Sequence, residues 1–175
     1  MSTTWNIDAS HSHVAFSAKH LMITTVKGRF ADVEGTVTVD GENPELASVD
    51  ATIKAASIDT RTEQRDAHLR SADFLDADNY PTLDFKSTKV AGSHDKFTMT
   101  GDLTIRGTTR PVTLDVSFEG EGKDPWGGQR MGFEATGKID RREFGLTWNQ
   151  ALEAGGVVVS NEIRISIEAQ LVKAA

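Results

Sequence analysis

His11 and His13 flank Ser12 at the spacing that puts two imidazoles on one strand face, so they could begin a metal site. No third or fourth ligand stands near them. Their expected role, with Ser12, is to hydrogen-bond a turn or a strand end, and no metal is expected. His20 lies in phase with Phe16 on an apolar strand face, where it either satisfies a buried partner or meets a ligand head group. Asp66, His68 and Ser71 have the letters of a catalytic triad, but residues two apart on a helix do not share a face. Asp66 is expected to cap or tether its segment. Arg141 and Arg142 could hold a pyrophosphate, or form a solvated corner beside Glu143. Carboxylates are plentiful yet fall on outer faces and turns, which argues against a paired-carboxylate hydrolase. No phosphate loop, nucleophile elbow or dinucleotide fingerprint is present. The expectation is a protein that is not an enzyme and uses no cofactor.

The 175 residues suit one domain spanning 1–175. A net charge of -7 and a pI near 5.2, with the two signs interspersed, leave no footprint for nucleic acid or for an anionic membrane. Absence of cysteine removes disulfides and thiolate chemistry without fixing the compartment. Residues 1–8 lack a basic, then apolar, leader, and no run approaches the ~18 apolar residues of a membrane span. As given, the chain reads as soluble and cytoplasmic; a removed signal peptide would leave the same sequence on a periplasmic or secreted protein.

The elements that must position these residues are mostly strands. Val14, Phe16, Ala18 and His20 share one face, and Gly28 to Asp40 resumes period two with Phe30 out of phase, which predicts a bulge or bend near Ala31. Ala47 to Ala55 form a small-residue face. Phe97, Met99, Gly101, Leu103 and Ile105 alternate with polar residues, turn at Arg106–Thr109, and return as Val112 to Phe118. Glu119 to Gln129 is glycine-rich and reads as a flexible connection. The last strand is the clearest, with Val157 to Leu171 on one face and Asn161 the polar exception. About eight such strands fit an antiparallel barrel or sandwich, and their length favours the barrel. Arg65 to Phe85 alone breaks the pattern: Asp59 and Thr60 offer caps for a short helix, and Tyr80-Pro81 ends the segment. It could plug, cap or gate what the strands enclose.

Inner faces that alternate large and small residues can simply fill a barrel's taper. They can also leave a lumen. Inner alanines and glycines tilt the reading towards a cavity, where ten buried methylenes of a guest would contribute roughly 8 kcal/mol before association costs.

Trp5-x-Ile7-Asp8, His11-Ser12-x-Val14-x-Phe16, Lys19-His20-Leu21 and Val26-x-Gly28-x-Phe30 are followed by Asp66-x-His68-Leu69-x-Ser71-x-Asp73-Phe74 and Tyr80-Pro81. Gly101-x-Leu103-Thr104-Ile105-Arg106-Gly107 and Arg142-x-Phe144-Gly145-Leu146 complete the series. In order and spacing this resembles the YceI-like family over nearly the whole chain. The resemblance implies a lipocalin-like antiparallel barrel, all-β with a short helical insertion, whose apolar lumen holds an isoprenoid or comparable long-chain lipid, often in a homodimer. Many members are exported; this chain departs in showing no signal sequence. Inner faces and resemblance together nominate Phe16, His20, Phe30, Phe85, Leu103, Ile105, Phe133, Phe144, Ile163 and Ile165 as ligand-binding residues. From the insertion they add Leu69, Phe74 and Leu75, with Asp66 and His68 fixing it to the rim. The expected function is non-enzymatic binding, storage or transport of that lipid without stable membrane insertion. The alternatives are an enzyme using His20 or His68 on such a lipid, and an interaction module with a filled barrel.

Overall fold

A computed structural model describes residues 2–41, 43–93, 95–150 and 158–175. Strand β1 (Ser2–Ile7) is alternately exposed and half-buried, passes through a 3-10 turn at Ala9–His11, and continues as β2 (His13–His20). β3 (Thr24–Phe30) returns along β2 and is continued by β4 (Val33–Asp40), which pairs with β1. β5 (Ala47–Lys54) lies along β4, and after another 3-10 turn β6 (Ile58–Asp59) lies along β3. Helix α1 (Glu63–Arg70) follows. The remaining strands form a meander: β7 (Thr82–Gly92), β8 (Lys96–Ile105), β9 (Thr108–Lys123), β10 (Gln129–Asp140) and β11 (Glu162–Lys173).

β11 closes the ring by pairing with both halves of the first interrupted strand: Trp5 opposes Lys173, and Phe16 opposes Ile165. Because β1/β2, β3/β4 and β5/β6 are interrupted pairs, the eleven strands make a closed, eight-stave antiparallel barrel. Closure removes the unpaired edges that an open sheet would present.

Several local expectations are corrected. Phe30 is out of phase because its strand ends there; of the two alternatives near Ala31 the chain takes the bend, not the bulge, and hands over to β4, which has different neighbours. True register shifts lie between Ser87 and Lys89 and between Gly132 and Phe133. Glu119–Gln129 is mostly strand. Its tight turn is organised by Asp124, whose carboxylate accepts from the backbone N–H groups of Trp126 and Gly128 and from Arg130 Nε. The last strand begins at Glu162, so Asn161 precedes it and Val157 lies outside the described residues.

The inner glycines are not empty space. A Cβ on Gly28 would strike the Phe16 ring, one on Gly101 the Phe85 ring, and one on Gly137 the Leu114 side chain. Each lets a larger neighbour lie flat against the wall.

Candidate functional site

The inner faces enclose a cavity of about 1000 Å³. Aliphatic and aromatic side chains from almost every strand line it, at the upper end of the size range of small-molecule sites. β2 contributes Phe16 and His20, and β3 contributes Phe30, whose ring meets that of Phe16 at 5.6 Å. Phe85 of β7, Leu103 and Ile105 of β8, and Phe133 of β10 face the same space, as do Ile163 and Ile165 of β11. Strand periodicity dictates this: Leu103 points inward, while the Thr104 hydroxyl hydrogen-bonds that of Thr109 outside.

Phe144 is the exception among the nominated residues. It sits in a 3-10 turn, Arg141–Phe144, closed by Gly145 in the left-handed region, and is buried in packed core away from the cavity wall. A turn of three residues per repeat does not continue the strand's alternation.

The insertion covers the end of the barrel at which β2, β8 and β10 finish. Leu69, Phe74 and Leu75 line the lumen, the last two buried. The expected caps at Asp59 and Thr60 are not used as such: Thr62 is the N-cap, without a side-chain bond. Buried Asp66 instead accepts from the Thr60 backbone N–H at 2.8 Å and from its hydroxyl. Arg65 grips the same residue, with Nε donating to the Thr60 hydroxyl and Nη2 to its carbonyl, both at 2.7 Å. His68 Nε2 is 2.9 Å from Asp73 Oδ2, a pairing within the insertion. Its ring also stands edge-on to Trp148 at 4.6 Å and to Phe74 at 5.1 Å, so it reaches the rim through aromatic contact.

Arg141 and Arg142, read from sequence as one pair, part company in the structure. Arg141 is 4% exposed and lines the lumen. Nε donates to the Ser160 carbonyl at 2.9 Å, Nη1 to those of Leu146 and Trp148 at 2.8 Å each, and Nη2 to that of Val159 at 3.4 Å. Burial pulls its pKa below the ordinary value, against the opposing attraction of Asp140. Arg142 is the solvated partner, forked onto Asp140 with a shortest contact of 2.6 Å. Trp5 and Trp148 also line the lumen, whereas Trp126 is 86% exposed. Alternation of Thr3, Trp5 and Ile7 was the available signal for Trp5.

Apart from Ser12 in the middle of the first stave, polar wall groups gather towards the two ends. His20, Thr60, Arg65, His68 and Arg141 stand at the helix end; Thr3, Glu121 and Lys173 stand at the other. Among the described residues no carboxylate pairs with Arg65 or Arg141, and none of their potential metal-ligating side chains gather in threes. His11 bonds Asp8 at 2.9 Å, and the Ser12 hydroxyl accepts from the Gln170 N–H at 3.0 Å, the structural roles expected of them.

The model of the YceI-like domain matches residues 5–171. The chain belongs to the YceI-like family. Protein YceI of Shigella flexneri is 46% identical over 139 residues, covering 79% of this chain and 73% of that one. A UPF0312 protein of Photorhabdus laumondii is 42% identical over 163 residues, covering 93% and 83%. Among solved structures, Burkholderia cenocepacia BcnA superposes with a TM-score of 0.81 at 25% identity over 94% of this chain and 98% of that one. The Campylobacter jejuni YceI protein superposes at 0.77, with 34% identity over 90% of each chain. A polyisoprenoid binding domain from Saccharophagus degradans shares the fold at a TM-score of 0.68 and 13% identity, over 98% and 99% of the two chains.

Proposed function

We propose that this YceI-like protein binds an isoprenoid or comparable long-chain amphiphile in its lumen and stores or carries it unchanged. The observation that carries the reading is the apolar cavity of about 1000 Å³ inside the barrel, whose polar wall groups lie mostly towards its ends. Such a volume suits a long chain, and each buried methylene contributes about 0.8 kcal/mol without an ionic anchor. The fold shared with a polyisoprenoid binding domain supports the same ligand class. The polar head of the lipid would lie at the helix end, beside His20, His68 and Arg141.

Native mass spectrometry of the purified protein, followed by solvent extraction, is the test. A bound long-chain species is expected; a protein that stays empty when offered polyprenyl and fatty-acyl ligands sinks the proposal.

The His68–Asp73 pair favours a second reading, an enzyme acting on such a lipid. Against it, the Ser71 hydroxyl donates to the His68 backbone carbonyl at 2.6 Å, so the nearby nucleophile is directed away from the ring. Recovery of chemically unchanged lipid after prolonged incubation would favour the carrier. The homodimer implied by family resemblance is a separate part of the proposal, read by sedimentation.

A further inference from the structure

β2 and β3 are joined by Leu21, Met22 and Ile23, which are 37%, 59% and 78% exposed. Among the described residues, the other large exposed apolar ones, Leu46, Tyr80 and Trp126, lie far apart along the chain. Single exposed apolar residues need no explanation, whereas three in a row at a hairpin tip do.

The backbone sharpens the anomaly. Leu21 and Met22 both have left-handed φ, 54° and 58°, and the Ile23 N–H donates to the His20 carbonyl at 3.0 Å. Two successive left-handed residues make a hairpin turn that favours Asn-Gly, and each ordinary side chain there costs about 1–2 kcal/mol. This tip therefore combines backbone strain with apolar exposure, neither of which helps the isolated barrel.

Charge and position indicate what covers it. Although the chain carries -7 overall, residues 9–31 contain no Asp or Glu and include Lys19, Lys27 and Arg29. Lys19 Nζ is held at the hairpin's flank by the Thr25 hydroxyl at 2.9 Å, while Arg29 is partly offset by Asp59 at 3.7 Å. Lys19 and His20, immediately before the tip, line the lumen at its helix end. The Leu21 N–H is tied to the Val158 carbonyl at 2.8 Å, so the tip extends the barrel wall.

We infer that Leu21–Ile23 is a docking tip for an anionic lipid bilayer, which seats the helix end of the lumen against the membrane surface. Apolar side chains enter the boundary between head groups and acyl chains, and the basic flank meets the head groups. The contact is peripheral, made by the tip alone. Lipid exchange between bilayer and lumen, the purpose of this contact, rests on the carrier reading above.

Flotation with vesicles of phosphatidylcholine and phosphatidylglycerol tests it. The wild type should float, and the double variant Leu21→Asn, Met22→Gly should lose at least about tenfold in vesicle partition, since two apolar side chains no longer enter the lipid. The same variant should keep or raise its Tm and retain its extractable lipid. Ile23→Asp, which leaves the strained pair in place, should also abolish flotation and guards against an unexpected folding defect. Wild-type protein that stays off the vesicles, or variants that float equally well, would overturn the inference. So would variants that lose only self-association by sedimentation, because the tip would then be a contact between copies of the chain. Absence of extractable lipid from every version defeats the carrier reading instead, and leaves flotation to decide docking.

Discussion

The ring of Phe85 lies over the bare α-carbon of Gly101, occupying the space in which any side chain at residue 101 would begin. The clash is with a wall ring half-buried against packed neighbours, so it cannot be relieved by swinging a flexible tip into water. Gly101→Val should therefore destabilise the barrel by about 1–3 kcal/mol, read as a lower urea midpoint. Partial recovery with the added Phe85→Ala would tie that part of the loss to this pair, the rest coming from the Lys86 carbonyl 2.6 Å from the added Cβ.

Leu103 and Thr104 are adjacent but face opposite sides of the wall. Leu103→Arg places an unpaired charge in an apolar lumen and should abolish lipid binding or folding. Thr104→Arg should leave ligand recovery unchanged and shift stability by about 0.5 kcal/mol or less. Equal effects on lipid recovery would contradict the observed register.

Arg141 holds four backbone carbonyls from the segments that flank the helix end. Arg141→Met removes the side-chain donor from those of Ser160, Leu146 and Trp148, at about 1–3 kcal/mol for each that stays buried and unsatisfied, while that of Val159 still accepts from Asn149 Nδ2 at 2.7 Å. The expected result is a fall in Tm of many degrees. Arg141→Lys should rescue little, because an ammonium cannot reproduce the guanidinium fork; full rescue would mean that charge alone matters.

Asp8, Asp124 and Asp140 are all held below the ordinary aspartate value of 3.8. The Ser10 hydroxyl, His11 and Arg130 act on Asp8; Arg130 acts first on Asp124, and Arg142 on Asp140. Depressed folded-state values mean that their contribution to stability is present above the ordinary value and is lost as pH falls towards the folded ones. Urea midpoints should be flat from about pH 7 to 5 and fall below about pH 4. Asp8→Asn combined with Asp124→Asn should lower the plateau and flatten the acid limb; an unchanged limb would assign it elsewhere.

Asp66 accepts two hydrogen bonds from Thr60 and so ties α1 to the end of β6. Asp66→Ala should raise amide exchange across Glu63–Arg70 by about tenfold or more, while β8–β10 keep their protection. Uniform loss of protection would make the tie part of the global core. Comparison with and without lipid would also distinguish a gate from a fixed wall.

Much of the barrel was legible because its strands have one apolar face. Ile163, Ile165, Ile167, Ala169 and Leu171 all reach the lumen, as their alternation implied. Less visible were the handovers between staves. Ala31-Asp32 carries neither glycine nor proline, so a change of pairing partner showed only as a bulge or bend. Phe144 shares the composition of a lumen residue, but a 3-10 turn overrides strand phase. Arg141 could not be told from its solvated neighbour Arg142; its burial depends on carbonyls that the fold brings to it from residues 146–148 and 159–160. Inner glycines suggested space, whereas the rings that occupy it belong to other positions on the wall.

The pairing of Trp5 with Lys173 also has a kinetic side. Every other stave meets the one before it through a local connection, but the ring shuts only when the first and last staves find each other across the whole chain. Such sequence-distant contacts belong to slow, high-contact-order folding, typically milliseconds to seconds. Until that meeting the curved sheet has two open edges and an apolar inner face. The seam is thus where premature association between chains would begin, and where a guest already nestled in the half-made trough would speed completion.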